Sequence, residues 1–188
     1  MLVVFSDTHL SDETASSNVH GSAFELLAKE VASASSPKHK NARRLDFLLL
    51  GDIFDLLRTC YWQDRGVPAE DRPWNGRLSL ETGFNSNHAG VETQFLAILD
   101  RILATETGSA FVKLLTRRPR YIKETPTVTY VVGNHDRAFW AVPSLQDRLR
   151  RKLPGVRLQF TTSYRSDRYK TLARHGHEWD SNNHGWHF

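Results

Sequence analysis

Three apolar runs stand out from a largely polar chain: Leu2 to Phe5, Leu45 to Leu50 and Thr127 to Val132. None alternates strictly, so each is expected as a strand covered on both faces. Two weaker strands are expected at Val156 to Phe160 and Tyr169 to Arg174, joined by a polar turn over Ser163 to Asp167. Helical spacing appears between the strong runs. Ser22-Ala23-Phe24-Glu25 matches a capping box, Phe24, Leu27 and Val31 share one face, and the pattern fades into Ser33 to Pro37. A longer helix is predicted from about Val91, with Phe95, Ile98, Leu99, Ile102 and Leu103 inward, interrupted at Gly108 before Phe111 to Leu115. Another is predicted from Ser144 to Lys152. This strand–helix–strand order implies right-handed crossovers and a largely parallel sheet, hence the α/β class. Residues 58 to 90 fit neither period and hold Tyr61, Trp62, Trp74 and Phe84 among Gly, Pro and Asn. That stretch reads as the start of a loop-rich and helical insertion at about 58 to 120, either a lid or an aromatic anchor.

Composition narrows the class. At roughly 150 residues per domain, 188 residues form one domain. A hydrophobic fraction of 39% fills a core and excludes a disordered chain. The charge of 25 − 21 = +4 fits an anionic substrate without requiring nucleic acid. Arg117, Arg118 and Arg120, and Arg148, Arg150, Arg151 and Lys152, read as solvated faces in preference to a phosphate or nucleic-acid track. The lone Cys60 excludes an internal disulfide and a CxxC zinc site. The opening apolar run stops at Ser6-Asp7, and no stretch reaches the roughly 20 apolar residues of a membrane span. A cytoplasmic protein is expected.

The chemistry gathers where strands stop. The strong runs end in Asp7-Thr8-His9, Gly51-Asp52-Ile53-Phe54-Asp55 and Gly133-Asn134-His135-Asp136, and the last weak one in His175-Gly176-His177. Open α/β sheets bind ligands at the carboxyl ends of their strands, so these pieces are expected to converge. Carboxylate, imidazole and amide oxygen make a mixed N/O set suited to Mn, Fe, Zn or similar ions. Asp7 and His9, two apart, can point the same way from an extended segment, and Gly51 and Gly133 leave room for a sharp bend. Singly, each motif is ordinary turn chemistry. As an ordered set they point to a metal site. His177 reads equally as a ligand or as a polar neighbour, Glu178 and Asp180 as supports, and His20 as solvated.

At these residues the chain resembles the calcineurin-like metallophosphoesterases, whose first four motifs it carries in order from Asp7 to about His177. The resemblance implies a four-layer α/β/β/α sandwich, here with an incomplete second sheet, and two divalent metal ions. Asp7 and His9 would bind the first metal, Asp52 would bridge, and Asn134 and His175 would bind the second. His135 would protonate the leaving oxygen, oriented by Asp55. The implied activity is hydrolysis of phosphate ester or pyrophosphate bonds by a dinuclear-metal-activated hydroxide, on a small or lipid-linked substrate. The exonuclease branch of the same family is the alternative, and an inactive relative a third reading. The family's closing Gly-His-x-His motif is absent, and His184 and His187 stand in another pattern. The chain is therefore expected to be a piece of a longer one and to bind metal weakly by itself.

Overall fold

The computed structural model describes residues 1–74, 78–79, 83–84 and 88–180, with no side-chain detail at 78–79, 83–84 and 88–89. In chain order the elements are β1 (Leu2–Phe5), α1 (Gly21–Ser35), β2 (Asp46–Leu50), β3 (Leu78–Ser79), β4 (Gly83–Phe84), α2 (His88–Ala104), α3 (Glu106–Thr116), β5 (Thr127–Val131), α4 (Ala138–Ala141), α5 (Pro143–Lys152), β6 (Arg157–Thr161), β7 (Tyr164–Ser166) and β8 (Thr171–Ala173). The class is mixed α/β. A four-stranded parallel sheet runs in the order β1-β2-β5-β6, beside two small antiparallel pairs, β3-β4 and β7-β8.

The parallel register places Phe5 beside Leu49, Leu49 beside Tyr130 and Tyr130 beside Phe160. Side chains alternate along each strand, so these residues share one face with Phe47 and Val128. Against that face pack Phe24 of α1 and Phe111 of α3, with the Phe5 and Phe111 rings edge-on at 5.7 Å. Phe139 of α4 closes on Tyr130 and Phe160 at 5.3 and 5.6 Å. The other face differs. Leu48 and Thr129 are buried, but Val4 is 50% exposed. Covering on both faces therefore holds for the central strands β2 and β5 and fails for β1, an edge strand whose apolar run reads the same locally.

Four further expectations are corrected. β6 pairs with β5 in the main sheet rather than opening a second one. Tyr164 to Ser166, read as turn, is the strand that pairs with β8. The Ser22–Glu25 capping box does not form: His20 is the N-cap, and its Nδ1 accepts the Ser22 N–H at 3.2 Å. Nor does Gly108 break the long helix. The break is at Thr105, whose Oγ1 accepts the Gly108 N–H at 2.9 Å and caps α3. Replacing Thr105 by Ala should cost about 1 kcal/mol, the usual worth of such a cap, read as a lower urea midpoint at unchanged slope.

The segment after β2 is anchored. Trp62 is fully buried, donates its indole N–H to the Leu56 carbonyl at 3.0 Å and meets Phe95 edge-on at 5.1 Å. Thr59 and Arg101 both donate to the Asp12 carboxylate, at 2.7 and 3.1 Å, which ties this segment and α2 to the loop after β1. Burial works against the charged Asp12, yet its Thr14 and Thr59 hydrogen bonds hold its pKa below the ordinary 3.8. Part of the predicted insertion, and the His184 and His187 pair, lie outside the described residues. Among the described residues no helix is long and apolar enough to cross a membrane.

Candidate metal centre

The loops after β1 and β2 stay paired beyond their strands. Asp7 N–H donates to the Gly51 carbonyl, His9 N–H to Asp52 and Leu10 N–H to Ile53, at 3.1, 2.9 and 2.8 Å. This ladder carries Asp7, His9 and Asp52 side by side past the carboxyl edge of the sheet. All three sit in the left-handed backbone region, at φ of 54°, 45° and 53°. Non-glycine residues rarely adopt that conformation, and such outliers gather at functional sites.

The loop after β5 is held by Asp136, which is fully buried. Its carboxylate accepts the Gly133 N–H at 2.6 Å, the Ile53 N–H at 2.9 Å and the Tyr130 hydroxyl. One side chain thus fastens the second and third motifs together. In the sequence Asp136 is part of a polar motif without a role of its own; Asn134 is buried too, and what sets Asp136 apart is the set of three donors its carboxylate receives. Burial pushes its pKa up to about 6.

Two glycines let the groups close in. A Cβ on Gly133 would strike the Asp52 carboxylate, and one on Gly51, at φ +78°, would strike the His175 imidazole. Gly133 is therefore needed for close approach rather than for a bend, while Gly51 serves both ends.

His175 arrives from a different direction than expected. It follows β8, outside the parallel sheet, and its Nδ1 lies 3.0 Å from the Leu50 carbonyl at the end of β2. Its Nε2 then faces inward, 3.1 Å from Asn134 Oδ1 and 3.3 Å from Asp52 Oδ2. The Asp52 carboxylate, helped by the Leu50 carbonyl and opposed by burial, raises the His175 pKa to about 9. Burial works against the ionised Asp52, but His175 and the His135 N–H, at 2.9 Å, outweigh it and hold its pKa down.

A cavity of about 430 Å³ is lined by Asp7, His9, Asp52, Asn134, His135 and His175, and also by His177 and Asp180. Potential ligand atoms fall into two groupings, each within 4.8 Å: Asp7 with Asp52 and His175, and His9 with Asp52 and His135. Asp52 belongs to both. The expected pairing of Asp7 with His9 is thus not the grouping seen: Asp7 stands with His175. Asp55 lies outside this cavity, on the far side of the histidines. Its Oδ2 is 3.5 Å from both His9 Nδ1 and His135 Nδ1. The nearby Asp55 carboxylate raises the His135 pKa despite burial. His9 Nδ1 and Asp55 Oδ2 are buried without a hydrogen bond of good geometry.

The donor set fits divalent cations. It joins carboxylates, imidazoles and an amide oxygen, and thiolate has no part in it. Asp52 is the buried carboxylate common to the two groupings. No protein-family model matches the chain, and no curated protein or solved structure matches it.

Proposed function

We propose that this chain is a metal-dependent phosphoesterase of the calcineurin-like kind, acting on small or lipid-linked phosphate esters or pyrophosphates. The observation that carries the reading is Asp52: one buried carboxylate within ligand reach of Asp7 and His175 on one side and of His9 on the other, with the His135–Asp55 pair beside it. Asp7, His9, Asp52, Asn134 and His175 would hold two divalent ions. When bound, such ions neutralise phosphoryl oxygens and lower the pKa of water towards 7. The rest falls to the chain. Leu50 fixes the His175 tautomer, with the proton on Nδ1 and the Nε2 lone pair directed inward. Asp55 faces His135 Nδ1, so His135 Nε2 is the atom placed to give a proton to the leaving oxygen. Asp55 raises the His135 pKa, which favours the protonated ring that such a donor needs. In the same reading, β7 and β8 begin the second sheet of the four-layer sandwich.

Metal uptake tests this directly. In the metal-free protein His175 holds a proton up to about pH 9, and a ligand must shed it to bind. Calorimetric titration with Mn²⁺, in buffers of differing ionisation enthalpy, should show proton release at pH 7 and an affinity that rises with pH. Hydrolysis of 4-nitrophenyl phosphate or bis(4-nitrophenyl) phosphate should then depend on Mn²⁺. Absence of Mn²⁺ uptake removes the reading.

A further inference from the structure

On the far side of His135 from the ligand cavity lies a second cleft, of about 270 Å³, lined by Asp55, Leu57, Arg58, Asn134 and His135. It shares Asn134 and His135 with the ligand cavity, so His135 stands on the partition between the two. Two features mark this cleft. The Arg58 guanidinium is half exposed, and its Nε forms an ion pair with Asp55 Oδ2 at 3.2 Å. Leu57 is 41% exposed beside it. A guanidinium that borders an open cleft can take an anion there through charge-assisted hydrogen bonds.

We propose that this cleft receives the leaving group, and that Arg58 selects leaving groups carrying an anionic group of their own next to an apolar portion. The inference rests on the phosphoesterase reading. In an in-line displacement a water-derived hydroxide forms the new P–O bond while the departing oxygen takes the electron pair of the broken P–O bond and a proton from His135. That oxygen must therefore lie against His135, and the cleft that shares His135 and Asn134 with the ligand cavity is the neighbouring space for what it carries. There it meets Leu57 with its hydrocarbon part and Arg58 with its charge. The substrate class is a phosphate ester or anhydride whose leaving half is itself anionic, a second phosphate being the strongest case. Arg58 is here a specificity-determining residue, outside the ligand set.

The test uses a matched pair of inert analogues, phenylphosphonate and 3-carboxyphenylphosphonate, whose ring replaces the leaving group. Dissociation constants are measured calorimetrically on the chain with saturating Mn²⁺. The wild-type protein should bind the carboxylated analogue about tenfold more tightly, the worth of one charge-assisted contact. Arg58→Gln should erase that preference while leaving phenylphosphonate within about twofold of wild type, and Arg58→Glu should invert it. Equal weakening of both analogues in Arg58→Gln would mean that Arg58 only supports Asp55, and would overturn the proposal. So would a preference that survives the substitution, or a wild-type protein that binds phenylphosphonate with no preference. If Mn²⁺ itself fails to bind, the phosphoesterase reading falls and the cleft's role falls with it.

Discussion

Asp52→Asn should leave the protein folded, unable to retain Mn²⁺ and at least about a thousandfold slower in hydrolysis, roughly 4 kcal/mol at the transition state. The amide is isosteric and still offers an oxygen to the His135 N–H, so the third motif keeps its anchor. What disappears is the one carboxylate common to both ligand groupings. A second readout separates this from general damage. In the metal-free protein the Asp52 carboxylate is the leading cause that raises His175 from 6.5 to about 9. An imidazole whose folded pKa is raised stabilises the fold fully below its unfolded pKa, and that contribution is lost as pH climbs to the folded value. Wild-type stability should therefore carry a decline between about pH 6.5 and 9 that Asp52→Asn flattens, while the His175 ring titrates lower by NMR. A variant that binds Mn²⁺ as the wild type does would sink Asp52 as the shared ligand.

The largest loss of stability is expected at Asp136. Asp136→Ala strands three buried donors at once, the Ile53 and Gly133 amides and the Tyr130 hydroxyl. Each orphaned buried group costs on the order of 1–3 kcal/mol, so a total near 3–5 kcal/mol is expected. In a chain of this size that is roughly 10 °C in Tm. Hydrogen exchange should accelerate at Ile53 and Gly133 specifically. Asp136→Asn, which keeps one acceptor, should fall between the two. The pH dependence has the opposite sense to most carboxylates. The folded pKa, about 6, lies above the ordinary 3.8. The folded state therefore holds the proton longer, and this group erodes stability as pH rises between about 4 and 6. Asp136→Asn removes that slope. A Tm for Asp136→Ala within about 2 °C of wild type would refute the fastening role.

Much of the sheet was legible because burial leaves a local trace. The runs at Leu45–Leu50 and Thr127–Val132 are apolar on both faces because β2 and β5 are central strands. β1 carries the same trace at an edge, and nothing local distinguishes Val4, which is exposed, from Leu48, which is buried. β6 was readable as a strand, but its partner was not. Its side chains are alternately exposed and half-buried, and pairing is settled by residues 30 positions away, such as Thr129 receiving the Gln159 amide. β7 reads as turn because three residues, of which only Arg165 is exposed, are too few to carry a periodic signal. At the site, residue types and order brought Asp7, His9, Asp52, Asn134, His135 and His175 to one cavity. The sequence could not show that Asp55 faces away from that cavity towards Arg58, because carboxylates three apart look alike until the backbone turns between them. Asp136 and Arg58 are tertiary facts, one by burial and one by the cleft it borders.

The left-handed backbone at Asp7, His9 and Asp52 has a consequence for how the chain tolerates change. Such conformations cost roughly 1–3 kcal/mol apiece for residues that bear a Cβ. The scaffold would be sturdier with glycine in those places, and a β-branched replacement would harm the fold even where ligation did not matter. The protein thus lives below the robustness its own architecture permits, and that deficit falls at the positions where the proposed chemistry must happen.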